Sequence, residues 1–133
     1  MDKALVVEDE QDIRHLLIEQ LKDKGYQVRK ADNGAVALQR VREEIPDIIF
    51  VDILMPVMDG LHLVSELREN PETSEIPVVL VTAIDLAGVI PRARELGVKL
   101  LLAKPWEPES LDLILNQALI PSDNEWQIPA LEG

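Results

Sequence analysis

The strongest constraint on the fold is an alternation of five short apolar runs with longer amphipathic stretches along the 133 residues. The runs are rich in Val, Ile and Leu, which is typical of strands buried on both faces of a parallel sheet. The stretches between them are long enough for crossover helices. The sequence therefore predicts an α/β domain with a mostly parallel sheet, and its strands are Ala4–Val7, Gln27–Lys30, Ile48–Val51, Val78–Val81 and Lys99–Leu102.

Helices are predicted wherever apolar residues recur at helical spacing between these strands. The first helix stops at Gly25, since glycine readily takes the left-handed conformation that ends helices. Its expected inward face consists of Ile13, Leu16, Leu17, Gln20 and Leu21. The other four helices are predicted from Asn33-Gly34 to Pro46, over Gly60–Glu69, from near Pro91, and over Pro108–Leu119.

Composition narrows the class of protein. The chain has the usual length of one domain, and with 47% hydrophobic residues it can bury one core. It has no cysteine, so neither a disulfide nor a thiolate metal site is expected. The first apolar run is too short for a signal peptide or a membrane span, which makes a cytoplasmic location the default expectation.

The formal net charge of −12 argues against direct binding to nucleic acid, which depends on Lys and Arg neutralising phosphates. An acidic chain favours cations or basic partner surfaces instead. Residues 121–133 have no periodicity, and we expect them to form a tail or the start of a linker.

Charged and polar residues follow the predicted strands at the points where they end. In strand order they are Glu8-Asp9, Asp52, Thr82 and Lys104. The carboxyl ends of parallel strands lie at one edge of a sheet, where functional groups of such folds gather. Carboxylates that meet there repel one another unless a cation or a lysine offsets their charge. Magnesium suits such a site, because it takes oxygen ligands and bridges to phosphate. The set predicts phosphoryl transfer to a carboxylate, with Asp52 as the nucleophile.

These residues and their neighbours resemble the response-regulator receiver family over residues 3–119. The segments that carry the resemblance are Leu5-Val6-Val7-Glu8-Asp9-Glu10, the run from Val51-Asp52 through Met55-Pro56 to Met58-Asp59-Gly60, Val81-Thr82-Ala83, and Ala103-Lys104-Pro105. The resemblance implies a flavodoxin-like, doubly wound sheet of five strands in the order 2-1-3-4-5, flanked by five helices. It also implies a receiver domain over residues 1–120.

Several functional expectations follow from the resemblance. It implies a signalling domain, not an enzyme, that accepts a phosphoryl group on Asp52 from a sensor histidine kinase or a phosphotransfer protein. It implies magnesium held by Glu8, Asp9, Asp52 and the Leu54 carbonyl, with Thr82 and Lys104 at the phosphoryl group. The Lys104-Pro105 peptide bond should be cis. The surface of the fourth helix, fifth strand and fifth helix should respond to phosphorylation, and a homodimer through that surface is an open option.

The sequence departs from the family pattern at one position, and two further positions bear on how long the phosphoryl group lasts. The aromatic residue that usually lies three positions before the lysine is replaced by Leu101. The positions two after the acceptor and two after the threonine are Leu54 and Ile84. Neither side chain can hydrogen-bond a water that attacks the phosphoryl group, so we expect slow loss of that group.

Two other functions fit the residues less well. An aspartate-nucleophile phosphatase of the haloacid-dehalogenase type needs a second aspartate two residues after the nucleophile, and that position is Leu54. A pseudo-receiver that docks without phosphorylation would not need Asp9, Asp52, Thr82 and Lys104, all of which are present.

Smaller roles are expected elsewhere. Asp59 should cap the third helix, and Met55 and Met58 should pack in a loop and the core. His15 and His62 should be structural or exposed. Trp106 should pack against the last loop, with a contact to a partner protein as the alternative.

Overall fold

The computed structural model describes residues 2–53, 55, 58–82 and 88–118. In this part of the chain strands and helices alternate, beginning with a strand. The strands are β1 (Lys3–Val7), β2 (Gln27–Ala31), β3 (Ile48–Asp52), β4 (Val78–Thr82) and β5 (Leu100–Ala103). The helices are α1 (Gln11–Asp23), α2 (Gly34–Glu43), α3 (Gly60–Glu69), α4 (Ile90–Glu95) and α5 (Pro108–Ala118).

The strands form one parallel sheet in the order β2-β1-β3-β4-β5. This confirms the predicted fold, including the strand order that the resemblance implied. All residues of β3 and β4 are buried, as expected for central strands that are covered on both faces. Alternate residues of each strand point to opposite faces, so the sheet separates two hydrophobic clusters.

One cluster lies between the sheet and helices α2, α3 and α4, and includes Val7, Val51 and Leu101 from the strands. The other lies beneath α1 and α5, and includes Phe50, which is fully buried. The sheet thereby becomes the middle of three layers, and its central strands β3 and β4 are buried along their whole length. This places polar residues that follow the strands at the edges of the domain.

The ends of several helices confirm the predicted signals. Gly25 has a positive φ of 93° after α1, a conformation that favours glycine. The side chains of Asn33 and Asp59 accept hydrogen bonds from the backbone N–H groups of Val36 and His62 at 2.9 and 2.8 Å, and so cap α2 and α3.

One residue of α1 differs from the sequence prediction, and the start of α4 agrees with it. Leu16 was expected on the inward face of α1, but it is 47% exposed, because Leu17 and Leu21 occupy the side of the helix that faces the sheet. Helix α4 begins at Ile90 with Pro91 in its first turn, near the predicted position, but it has only 6 residues. The prediction that α5 reaches Leu119, and the predicted tail, lie outside the described residues.

In the described ranges, no helix combines the length and the apolar character that crossing a membrane requires.

Candidate phosphoryl-acceptor site

The carboxyl edge of the sheet brings together the polar residues that follow the strands. Asp52 is the last residue of β3 and Thr82 the last of β4, and both are buried. Glu8 follows β1 and is also buried, whereas the next residue, Asp9, is exposed. Lys104 follows β5, and its backbone N–H donates to the Thr82 carbonyl at 2.9 Å. Parallel pairing of four neighbouring strands is therefore what assembles the site.

The three carboxylates form one group. Glu8, Asp9 and Asp52 each offer an oxygen, and these oxygens all lie within 4.8 Å of one another. At such separations the negative charges repel, and burial of two of the groups strengthens the repulsion. The arrangement therefore favours a cation at this edge.

Lys104 supplies part of the needed positive charge. Its Nζ lies 2.7 Å from Glu8 Oε1 and 3.4 Å from Asp52 Oδ2, and the side chain is only 13% exposed. Burial alone would lower the pKa of Lys104, but the contact with Glu8 and the charges of both carboxylates outweigh it, so the pKa is raised. The ammonium thus keeps its proton at neutral pH. The Lys104–Pro105 peptide bond is cis, as the resemblance implied.

The surroundings of Glu8 change its pKa. Burial raises its pKa to about 7, the ammonium of Lys104 opposes the rise, and the nearby Asp52 adds to it. Although Lys104 Nζ is close to Glu8 Oε1, no hydrogen bond of good geometry reaches this buried oxygen. The other oxygen, Oε2, accepts from the backbone N–H of Glu10 at 3.1 Å. Glu8 therefore presents a buried oxygen whose bonding capacity is not used up.

Whether these residues fit a magnesium ion depends on the type of their donor atoms and on access from solvent. The donors are all carboxylate oxygens, which Mg²⁺ prefers, and one of the acids is exposed, so that a hydrated ion can approach. The buried Glu8 Oε1 adds an oxygen that is not satisfied by a well-aligned donor. The residues fit the ion. The predicted fourth protein ligand, the Leu54 carbonyl, lies outside the described residues, as do Ile84 and its neighbours.

Gly60 is a residue of the site that sequence reasoning missed. It begins α3, and its backbone N–H donates to the Ile53 carbonyl at 2.9 Å. A Cβ at this position would lie 2.3 Å from the backbone oxygen of Asp52, which is closer than atoms can approach. Glycine therefore allows the start of α3 to lie directly against the end of the acceptor strand. The Asp-Gly pair signalled a helix start, but nothing in the sequence signalled this approach.

Two methionines and two histidines lie where the sequence predicted them, and Trp106 lies against the core. Met55 and Met58 pack against the cluster under α2, α3 and α4, as predicted. His15 and His62 are exposed, also as predicted. Trp106 packs against the cluster under α1 and α5.

Trp106 also makes a polar contact that the sequence did not indicate. Its indole N–H donates to Gln20 Oε1 of α1 at 2.7 Å. Trp106 thus packs within its own domain, against α1 and the core instead of the last loop alone, and contact with a partner protein stays a prediction.

Comparison with known proteins identifies the family. The family model of the response regulator receiver domain matches residues 4–116. The chain belongs to the response-regulator receiver family. Its Asp52, Lys104 and acidic group therefore lie in a receiver domain, a signalling domain of two-component systems.

Individual relatives agree with this assignment. Protein PilH of Pseudomonas aeruginosa is 34% identical over 119 residues, which cover 90% of this chain and 98% of PilH. A probable transcriptional regulator, ycf27 of Guillardia theta, is 35% identical over 119 residues, which cover 89% of this chain but 45% of that protein. The chain thus spans about half the length of several curated relatives that it matches, including the ycf27 proteins.

Among solved structures, the chemotaxis protein CheY4 of Vibrio cholerae superposes with a TM-score of 0.85 at 31% identity. The superposition covers 90% of this chain and 99% of CheY4. The likeness extends over the whole sheet and its helices, so this receiver domain has the fold of a CheY protein.

Proposed function

We propose that this receiver domain accepts a phosphoryl group on Asp52 and acts as a switch, not as a turnover enzyme. The donor would be a sensor histidine kinase or a phosphotransfer protein. One observation carries the assignment: the Asp52 carboxylate is the acid at the end of a central strand that lies both beside Lys104 Nζ and within the three-carboxylate group. Glu8 shares these neighbours, but one of its carboxylate oxygens accepts from the backbone N–H of Glu10 and the other lies 2.7 Å from Lys104 Nζ.

The chemistry needs few steps from the protein. A carboxylate oxygen of Asp52 forms the new bond to phosphorus as the bond between phosphorus and the donor breaks. Lys104 places its positive charge beside the carboxylate, where it would stabilise negative charge on the phosphoryl oxygens. Thr82, buried at the end of the neighbouring strand, offers a hydroxyl group to another of these oxygens.

Glu8, Asp9 and Asp52 are the residues of the described chain that would hold magnesium, together with the Leu54 carbonyl predicted from the resemblance. When bound, the ion would supply positive charge against the phosphoryl oxygens and offset the repulsion among the three acids.

Wider aspects of the function remain predictions. The surface of α4, β5 and α5 is proposed to carry the response to phosphorylation and to offer a site for homodimers. The boundary at residue 120, a cytoplasmic location and the lack of direct contact with nucleic acid are predicted from the sequence. Since the chain matches about half of several relatives, the activity of a whole protein that contains it is likewise a proposal.

The test is to measure intact mass after incubation with a small phosphodonor and Mg²⁺. The wild type should gain one phosphoryl group, and Asp52→Asn should gain none. Asp59→Asn is a matched control, because asparagine caps helices as well as aspartate does. Equal uptake by the wild type and Asp52→Asn would refute the acceptor. No uptake by the wild type would favour a docking module that works without phosphorylation.

A further inference from the structure

Arg14 of α1 makes a hydrogen bond to the main chain of Glu8, a member of the three-carboxylate group. It lies in the first turns of α1, and its backbone N–H donates to the Glu10 carbonyl at 2.9 Å. Its side chain turns back towards the start of the helix, and Nη1 donates to the backbone carbonyl of Glu8 at 2.8 Å. Side chains of α-helices point in this direction, so the contact follows from the position of Arg14 in α1.

The accepting carbonyl lies in the peptide that joins Glu8 to Asp9. On the other side of Glu8, its N–H donates to the Ala31 carbonyl at 3.1 Å and so extends the pairing of β1 with β2. Arg14 thereby continues the support of the main chain just past the point where the strand ends. Fixing this peptide plane fixes the direction in which the Asp9 side chain leaves the chain.

The neighbouring helix start does not provide the same support. The residue before α1, Glu10, makes no side-chain hydrogen bond to cap the helix. Its N–H donates to the Glu8 carboxylate, which is itself a member of the acidic group. A hydrogen bond from a charged donor, such as the one from Arg14, is stronger than a neutral one and suits the task of holding an exposed loop.

We propose that Arg14 is a positioning residue for metal binding, which holds the Glu8–Asp9 peptide so that the three carboxylates converge. The inference rests on the proposed function only in that the ion is taken to bind at Glu8, Asp9 and Asp52. The role is separate from that of Lys104, which contacts the carboxylates themselves.

Arg14→Ala removes both a positive charge and a hydrogen bond, and the two losses should change the affinity for Mg²⁺ in opposite directions. A measured affinity therefore tests the proposal. Removing a positive charge near an acidic group should strengthen the binding of a cation. Removing the hydrogen bond that orients the ligand loop should weaken it. Loss of an outer partner of a metal site typically weakens metal affinity by about 10- to 100-fold, and we expect about tenfold here.

The experiment is a calorimetric titration of the folded proteins with Mg²⁺ alone. Arg14→Ala should bind about tenfold more weakly than the wild type, near the lower end of the usual range for outer partners. Arg14→Lys, which keeps a charge and one donor, should recover part of the loss. Arg42→Ala, which removes an exposed arginine of α2, should leave the affinity unchanged.

A second measurement separates positioning from general stability. Amide exchange of the metal-free protein should be faster at Asp9 and Glu10 in Arg14→Ala, with the protection of β3 unchanged. A merely structural role would lower the melting temperature and leave the affinity of the folded protein unchanged.

The variant Asp9→Ala distinguishes failure of the proposed metal site from failure of the role proposed for Arg14. If Asp9→Ala binds Mg²⁺ as tightly as the wild type, the proposed metal site is wrong. If Asp9→Ala loses affinity while Arg14→Ala binds equally well or more tightly, the metal site stands and the role of Arg14 is refuted.

Discussion

Arg68 links helix α3 to two other backbone segments through its guanidinium group. Its guanidinium donates three hydrogen bonds to backbone carbonyls of other segments: Nε to Leu96 at 2.8 Å, and Nη1 to Ser74 at 2.9 Å and to Ile76 at 2.8 Å. One side chain of α3 thus binds Leu96, the residue that follows α4, and the loop that leads into β4. Burial lowers the pKa of Arg68 below its usual value, but the side chain remains charged at neutral pH.

The cost of removing this side chain can be estimated from the contacts. A hydrogen bond from a charged donor contributes roughly 1.5–3 kcal/mol net, so three such bonds would give an upper bound of about 5–9 kcal/mol. Arg68 is only partly buried, and water can reach some of the carbonyls after substitution, which reduces the loss. We expect Arg68→Ala to lower the free energy of unfolding by about 3 kcal/mol, a large share of the usual ~5–15 kcal/mol.

Urea denaturation followed by far-UV circular dichroism measures this loss. At this chain length a loss of that size also corresponds to a fall in melting temperature of roughly 10–15 °C. Arg68→Lys should recover only a fraction, because a lysine cannot donate to three separate carbonyls in the same fixed geometry. Arg92→Ala, at an exposed arginine of α4, should change stability by less than about 0.5 kcal/mol. A loss at Arg68→Ala no larger than that at Arg92→Ala would refute the reasoning.

Three further predictions concern the acceptor edge. Gly60→Ala should destabilise the domain by about 1–3 kcal/mol and slow phosphoryl uptake, because the added Cβ forces the start of α3 away from the acceptor strand. Gly88→Ala is its control in the same assays, since a Cβ there meets nothing within 4 Å, and equal behaviour of the two variants would contradict the prediction. Replacing Leu54 by Asn and Ile84 by Glu together should shorten the lifetime of the phosphorylated protein, and an unchanged lifetime would argue against a role for water-orienting side chains at these positions. Leu101 is buried and has no hydroxyl, so it cannot turn and hydrogen-bond as the family's aromatic residue at this position would. We therefore expect the phosphoryl mimic beryllofluoride to change amide exchange in α4 through backbone shifts. Changes limited to the loop after β3 would contradict this.

The sequence predicted the sheet well because its signal is local. Each strand is a short run of branched apolar residues between turn signals, and the predicted strand ends lie within one residue of the observed ones. The candidate site followed from the same pattern, since parallel strands place Asp52, Thr82 and Lys104 at one edge. The capping of α3 by Asp59 also follows from a local signal, because a helix cap acts within one helical turn.

What the sequence did not reveal depends on contacts and orientations that leave no repeating pattern of residue types. Arg68 binds carbonyls in two different loops, and Arg14 reaches back across the start of its own helix, but neither contact leaves a pattern of residue types. The sequence did not predict the exposure of Leu16. Helical spacing of apolar residues shows that a helix has an apolar stripe, but it does not show which edge of that stripe faces the sheet. The close approach at Gly60 is a property of two backbones and shows in the sequence only as a glycine.

The hydrogen bond from Trp106 to Gln20 has a practical consequence for spectroscopy. The indole lies two residues beyond Lys104 and is fixed to α1, so its emission should respond to small changes in the loop that carries the lysine. Only one other tryptophan, Trp126, is present in the chain. A Trp126→Phe variant would therefore contain Trp106 as its single tryptophan. With excitation selective for tryptophan, binding or phosphorylation could be followed in real time without an attached dye.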